Sequence, residues 1–462
     1  MQHEYRSVVW TEIQEARWGC RTAVLYCHAM TRRSFLAAAG LAVAARGDGV
    51  PRINAARLRQ HIEKLSVFGR PAGGRFADGV NRVGFSDADM AGRAYVTKVM
   101  RSAGLEPRVD AAGNIRAWRS GGDAKLAPVL FGSHIDSVPN GGNFDGDLGS
   151  LAAIEVIQTL NERKIATRRP LEIVVWANEE GVAYGVGLFG SAAAAGKLLA
   201  GAMEREWNGV KLPEAVRKIG GDPARLESAR RAPGSFHCYL ELHIEQGGTL
   251  DKAGLPIGVV EGIVAIDRYK AIIRGFANHA GTTPMPERQD ALLAASHLTL
   301  AVNEIVRRDA GRQVGTVGQL HVHPNAPNVI PGEVRHSIEL RDLSATMIAR
   351  LGEAIQARAR QIAAATQTEI TITKKDHHTG APATPHVQEA IERAAAKLGF
   401  GSQRLPSGAG HDAQMMATLG PMGMIFTPSV GGVSHSPREL TRWEDCARGA
   451  EVLLETVLGM AA

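Results

Sequence analysis

The run Leu171-Glu172-Ile173-Val174-Val175-Trp176-Ala177 is short, almost continuously apolar, and cut off by Asn178-Glu179-Glu180-Gly181. A stretch of that length and character reads as a buried strand. The chain just before it has the same plan. Pro128-Val129-Leu130-Phe131 is a short apolar run, residues 134–147 form a polar loop rich in glycine and asparagine, and Leu148 to Arg163 has helical spacing. In that helix Leu151, Ile154, Val156, Ile157 and Leu160 are placed to pack on a sheet. A strand, loop and helix followed at once by another strand describes an α/β sheet, in which ligand sites collect beyond the carboxyl ends of the strands. Both strands here run into charged groups.

The first loop offers His134, Asp136, Asp145 and Asp147. In extended chain, residues two apart project to the same side, so Asp136 can hold one nitrogen of His134 while the other faces a metal. For a single His-X-Asp, a polar loop with a chance histidine competes with that reading. Tyr239 to Gly247 then alternates like a strand, with His243 on the face opposite Leu242 and Ile244. Three strands therefore end in, or carry, groups of the metal-ligand type.

Elsewhere, Asn54 to Phe68 has helical spacing with Leu58, Ile62, Leu65 and Phe68 on one face, and a second helix runs from Ala91 to Met100 and stops at Gly104. Pro107 to Asp110 and Asn114 to Trp118 read as a hairpin across Ala111-Ala112-Gly113. From about Gly258 to Thr373 the character changes. Strands Ala271 to Phe276 and Ser337 to Arg341 are separated by helical stretches Asp290 to Arg308 and Ala345 to Thr366, which predicts an inserted α+β domain. The first domain resumes with helix Val387 to Leu398, loop Pro406 to Asp412, strand Met422 to Phe426 and loop Val433 to Glu439.

Among the 462 residues, 53 basic and 47 acidic side chains leave a net charge of +6, well interspersed and without the Lys/Arg block that nucleic-acid binding needs. Near the amino terminus, Thr31-Arg32-Arg33-Ser34-Phe35-Leu36 precedes an uncharged run to Ala45, with Ala42-Val43-Ala44 as a cleavage site. That order of parts resembles a twin-arginine export signal, against the alternative of a short alanine-rich helix behind two surface arginines. The signal implies a periplasmic protein with no stable membrane association after cleavage, and a cytoplasmic one if it is not used. Met30 is then the expected start, with residues 1–29 artefactual or disordered. Removal of residues 1–45 leaves Cys238 and Cys446, too few for a disulfide framework or a thiolate cluster; whether those two pair is open at this stage.

A pair of divalent ions about 3.5–4 Å apart needs a bridging anion and terminal ligands on each side. His134, Asp145, Glu180, His243 and His435 can supply that set, and imidazole with carboxylate suits zinc, with manganese or cobalt as alternatives. Glu179, next to a ligand, is the natural base for a water.

Seven segments carry a resemblance: GSHIDSVPNGGNFDGDLG (132–149), ANEEG (177–181), LELHIEQG (240–247), NHAGTTPMPERQDAL (278–292), PNVIPGEVRHSIELRD (327–342), GAGHDA (408–413) and VSHSPRE (433–439). Together and in this order they resemble the hydantoinase/carbamoylase family of dinuclear zinc amidases, which includes N-carbamoyl-L-amino acid hydrolases, allantoate amidohydrolases and β-ureidopropionases. The family is related to the aminoacylase and carboxypeptidase di-zinc enzymes. The resemblance implies a zinc-peptidase-like α/β catalytic domain, with a central mixed sheet flanked by helices, over residues 53–257 and 377–462. It also implies an inserted α+β lid and dimerisation domain with an antiparallel sheet over 258–376.

By the same resemblance, His134 and His243 bind one ion, Glu180 and His435 the other, and Asp145 bridges them; Asp136 orients His134 and Glu179 activates water. His279 stabilises the oxyanion, usually from the neighbouring protomer of a homodimer. Gln246, Asn328 and Arg341 hold the substrate, a ureido or N-carbamoyl acid. His411 and Asp412 fall in a matched motif without a definite role. The chain departs from the family where, after the paired glutamates, many members have Arg-Phe and later Ser-Arg; here the corresponding stretches are Gly181-Val182-Ala183-Tyr184 and Gly190-Ser191-Ala192. That puts the substrate in question more than the metal chemistry. Allantoate, N-acyl-amino acids and dipeptides are the rival substrates, and a non-catalytic receptor for amino-acid derivatives is the rival outside enzymes.

Overall fold

A computed structural model describes residues 50–462; the export-signal expectation falls on residues outside them. Among the described residues no helix is long and apolar enough to cross a membrane.

The central sheet is mixed. Its strands run in the spatial order Arg108–Val109, Ile115–Arg119, Leu171–Trp176, Val129–His134, Cys238–Ile244, Met422–Thr427, Ile257–Ile263 and Ala381–Pro382, and Ser402–Ser407 also pairs with Ile257–Ile263. The four in the middle are parallel to one another, from Leu171–Trp176 to Met422–Thr427. Their side chains are buried throughout, which is why three of them read as apolar runs; Cys238–Ile244 alternates instead, because its polar Glu241 and His243 are buried as well. On one face Leu130, Val174, Trp176, Met424 and Phe426 pack with residues of the short helices Phe189–Ala195 and Asp412–Met416. Longer helices, Asp147–Glu162, Pro385–Lys397 and Trp443–Met460, also pack against these strands.

The expected elements are present with shifted ends, and the shifts have local causes. The first helix is Ala55–Leu65, capped by the Asn54 side chain accepting from the Arg57 N–H. It stops short of Phe68 because the buried Arg82 guanidinium takes the carbonyls of Leu65 and Phe68, at 3.0 and 2.9 Å. The second starts earlier than its apolar pattern, at Asp87, because Ser86 caps it by accepting from Asp89 N–H. The 107–118 hairpin pairs Arg108–Val109 with Ile115–Arg119, its turn closed by Asp110 accepting from Ala112 and Asn114.

The second sheet has five antiparallel strands. Its long members are Ala265–Arg274, Glu333–Asp342 and Glu369–His378, and helices Ala291–Arg308 and Ala345–Thr366 cover one face through Ala271, Ile273, Leu298, Val302, Ile338 and Leu351. The structure differs from the expected start of the insertion at 258. Ile257–Ile263 belongs to the central sheet, and the antiparallel sheet begins only at Ala265. Both strands continue one another across Val264, so periodicity alone does not reveal the change of sheet. The chain returns at Gly380, beside its exit: a Cβ there would lie 2.9 Å from Ala265 N and 3.0 Å from Ile263 O.

Candidate active site

Neighbouring parallel strands deliver the polar groups. His134 is the last residue of its strand, Glu179 and Glu180 lie just beyond Leu171–Trp176, His243 is on Cys238–Ile244, and His435 lies in the loop after Met422–Thr427. Asp145 comes from the loop before helix Asp147–Glu162 and sits among the histidines. One of its oxygens is 3.6 Å from His134 Nε2 and 3.1 Å from His243 Nε2; the other is 3.4 Å from His435 Nε2, which is 3.5 Å from Glu180. Two groups of donors thus share Asp145: His134 with His243, and Glu180 with His435. Gly146 permits this, since its φ is +66° and any Cβ would come within 2.5 Å of the His134 ring.

The outer nitrogens of two of these imidazoles are fixed. His134 Nδ1 meets the Asp136 carbonyl oxygen at 3.0 Å, and His243 Nδ1 meets the Ile244 carbonyl at 2.9 Å, which leaves both Nε2 atoms facing Asp145. Here the structure corrects the expected role of the Asp136 side chain. Its carboxylate is 3.8 Å from His134 Nδ1 and instead accepts the backbone N–H groups of Glu179, at 3.0 Å, and Glu180, at 3.1 Å. After Asp136 the chain leaves the strand, so side-chain parity no longer applies and the neighbouring strand's end comes within reach.

The residues fit divalent cations. Glu180 Oε1 is buried without a hydrogen-bond partner, and His243 Nε2 is buried with only the Asp145 carboxylate, 3.1 Å away, before it; a bound ion removes the cost of the orphaned atom. The electrostatics agree. Burial works against charge on Asp145, yet the imidazoles of His243, His134 and His435 hold its carboxyl well below the usual range. Burial and the charge of Asp145 push Glu180 up to about 8, and burial with the neighbouring carboxylates drives Glu179 well above its ordinary value. Bonded to Asp145, His435 rises to about 9. Protons occupy a site whose negative charge exceeds what the protein itself neutralises.

The cavity over this cluster measures about 230 Å³ and is lined by Asp145, Glu179, Glu180, Leu188, His243, Gln246, His411 and His435, with Ala409 and Gly410 at its edge. Gln246 donates to Asp145 at 2.7 Å. Arg341 reaches over from the antiparallel sheet: its Nη1 donates to the Gly408 carbonyl at 2.6 Å while Glu339 holds its Nε at 2.8 Å. His279 and Asn328 lie together, through the Ala280 N–H to Asn328 carbonyl bond of 3.0 Å and a His279–Val329 bridge, but neither lines the cavity.

Glu439 and Arg82 were missed in the sequence, and Asp147, His411 and Asp412 were left there without a role. Glu439 accepts the backbone N–H groups of Phe144 and Asp145, at 3.0 and 3.1 Å, and the Ser434 hydroxyl at 2.8 Å. Asp147 forms a buried ion pair with Arg82, which also donates to the Ile135 carbonyl at 2.6 Å. His411 is buried with its ring 4.4 Å from that of His243 and its Nε2 2.8 Å from Ser407 Oγ. Asp412 accepts from the Ser191 hydroxyl. Cys238 and Cys446 are both free and buried.

A mixed sheet whose parallel strand ends gather two ligand sets about one carboxylate, beside a second antiparallel sheet, defines a metal-dependent amidohydrolase with a divalent metal cofactor. Residues 130–459 match the family described as peptidase family M20/M25/M40, and the chain belongs to that family. It is 44% identical to an N-carbamoyl-L-amino acid amidohydrolase of Geobacillus stearothermophilus, over 88% of this chain and 99% of that one. To a ureidoglycolate hydrolase of Arabidopsis thaliana it is 37% identical, over 88% and 86%. The crystal structure of a hydantoinase/carbamoylase family amidase from Burkholderia ambifaria is similar with a TM-score of 0.83 and 36% identity, covering 89% of this chain and 99% of the other.

Proposed function

We propose that the enzyme hydrolyses the amide bond between the carbamoyl carbon and the amino-acid nitrogen of an N-carbamoyl-L-amino acid or related ureido acid, using two divalent ions, zinc in the first instance. The placing of Asp145 between His134 with His243 and Glu180 with His435 is the observation that carries this reading. When bound, such ions lower the pKa of a water toward about 7 and polarise the scissile carbonyl. Glu179, fixed through its backbone by Asp136 and reaching within 3.8 Å of His134, takes the proton from the attacking water and passes it to the leaving nitrogen. Gln246, which lines the cavity, and Arg341, bonded to the Gly408 carbonyl, hold the substrate, Arg341 through a bidentate pair with the carboxylate.

His279 and Asn328 complete the site from a second copy of the chain, His279 as oxyanion donor. Exposed Phe276, Met285, Leu293 and Leu300 on the same sheet-and-helix domain support a homodimer formed there. The Arg32-Arg33 motif supports export to the periplasm; delivery that survives replacement of both arginines by lysine refutes it.

The test is a comparison of kcat/KM for metal-reconstituted enzyme on N-carbamoyl-amino acids, β-ureidopropionate, allantoate and N-acyl-amino acids. Carbamoyl or ureido substrates are expected to lead; equal rates on acyl substrates overturn the assignment. Glu179→Gln is expected to bind metal normally and lose at least about 10²-fold in kcat. Full turnover in that variant removes Glu179 from the mechanism, and a receptor without catalysis shows no turnover in either protein.

A further inference from the structure

Among the described residues, Leu188 is the one large apolar side chain lining a cavity otherwise walled by carboxylates, imidazoles, an amide and the small Ala409 and Gly410. Its backbone is left-handed, φ 54° and ψ 29°, a region that branched residues rarely occupy. Two backbone bonds lock it there: its N–H donates to the Glu179 carbonyl at 2.7 Å, and its own carbonyl accepts from Ala192 N–H at 2.7 Å. Tyr184 is left-handed as well, at φ 65°, its ring packed between Phe85 and Trp207, and Arg205 Nη1 donates to the carbonyls of Tyr184 and Gly185. Residues 181–188 thus form a strap tied at both ends beside the paired glutamates. Strained backbone persists where its surroundings over-determine it, and such positions gather at ligand clamps.

The space is not symmetrical. An adjoining cleft of about 510 Å³, lined by Glu245, Thr249, Arg312, Gln403 and Pro406, shares Gln246 and Ala409 with the site cavity and does not include Leu188. A substrate can extend past Gln246 but meets a wall at Leu188.

We infer that Leu188 is a specificity-determining residue that limits the size of the group borne by the scissile carbonyl. The amino-acid part lies toward Gln246 and the open cleft, and the substituent on the carbonyl carbon, the –NH2 of a carbamoyl, faces Leu188. The wall acts by size and not by polarity: carbamoyl, formyl and acetyl groups fit, and longer acyl groups are excluded. This rests on the amide hydrolysis proposed for the same site.

Leu188→Gly tests it, because glycine takes the left-handed backbone without penalty and removes only the wall; Leu188→Asn, tolerant of the same backbone, is the second variant. Metal-loaded enzymes are compared on the N-formyl, N-carbamoyl, N-acetyl and N-butanoyl derivatives of one L-amino acid. Wild-type kcat/KM is expected to drop sharply from acetyl to butanoyl. Leu188→Gly is expected to raise the butanoyl-to-acetyl ratio at least tenfold, with equal metal content and a Tm unchanged or higher. A ratio within twofold of wild type in both variants overturns the inference. If the wild type cleaves acyl but not carbamoyl derivatives, the proposed substrate falls while the acetyl-to-butanoyl comparison still decides the role of Leu188. Inactivity of the wild type across the series overturns both.

Discussion

Glu439 holds Asp145 by its backbone: one carboxylate oxygen accepts the Asp145 N–H at 3.1 Å, while the other accepts from Ser434, the residue before His435. The loop bearing the shared carboxylate and the loop bearing a histidine on its far side are therefore spaced by one side chain. Supporting groups of this kind typically govern metal affinity by about 10–100-fold. Glu439→Ala is expected to weaken metal binding within that range, measured by competition with a chelator. Glu439→Gln, which keeps an acceptor for the two backbone groups, is expected to recover part of the loss. Unchanged affinity in the alanine variant would show that the two loops keep their spacing without it.

Asp136 separates two roles that look alike in the sequence. Were its carboxylate the support of His134, Asp136→Asn would lower metal affinity. Because it accepts from the backbones of Glu179 and Glu180, and the His134 nitrogen is fixed by a carbonyl, the expected result is different. An asparagine has one acceptor oxygen for two N–H groups, so the paired glutamates shift while His134 stays. The variant is expected to lose kcat at full occupancy of the ion that His134 is proposed to hold, and about 1–3 kcal/mol of stability for the unsatisfied group. A fall in affinity at unchanged kcat on saturation with metal restores the sequence reading.

What was legible in the sequence follows from distance along the chain. Two strands announce themselves as apolar runs because they are buried on both faces, and Cys238–Ile244 announces itself by alternation; each carries a candidate ligand at or near its end, so His134, Glu180 and His243 could be placed there by local pattern. Asp145 and His435 were candidates by residue type, but which ion each would serve came only from the matched motifs, since loop residues have no period to betray their direction. The supports were not legible at all. Arg82 and Asp147 are 65 residues apart, and Glu439 acts on Asp145 from 294 residues away; no spacing rule connects them. Leu188 was hidden for another reason, since its left-handed backbone is imposed by the ends of the strap and not by its own residue type.

Arg82 offers a stability test away from the chemistry. It is buried, pairs with Asp147, and donates to the carbonyls of Leu65, Phe68 and Ile135. Removing one partner of such a pair strands the other charge, at a cost of about 3–5 kcal/mol. Arg82→Met is expected to lower the urea midpoint accordingly without changing the substrate preference of the protein that remains folded. Adding Asp147→Leu to it is expected to recover part of the loss, since the stranded carboxylate is gone; no recovery would mean that the bonds to the three carbonyls, and not the ion pair, carry the stability.

The protons held by the metal-free site give the last prediction. His435, raised to about 9 by its bond to Asp145, and Glu180, pushed up to about 8 by burial and the same aspartate, both carry protons at pH 7. A metal ion requires both deprotonated, so each is expected to release its proton on binding, and apparent affinity is expected to rise with pH until about pH 9. For the metal-free fold the sign is opposite. The raised His435 contributes stability that is complete below its unfolded value near 6.5 and lost as pH rises through 9. Glu180, whose neutral form the fold favours, costs stability as pH rises from about 4.5 to 8. Asp145, held low, is ionised throughout this window and adds no slope. Chelator-treated enzyme is therefore expected to melt at a higher temperature at pH 6 than at pH 9, with the difference narrowed by added zinc. Calorimetric titration of that protein with zinc at pH 7, repeated in buffers of different ionisation enthalpy, reads the protons directly; a binding heat independent of buffer would mean that His435 and Glu180 were never protonated, and that the site is preformed for its ions.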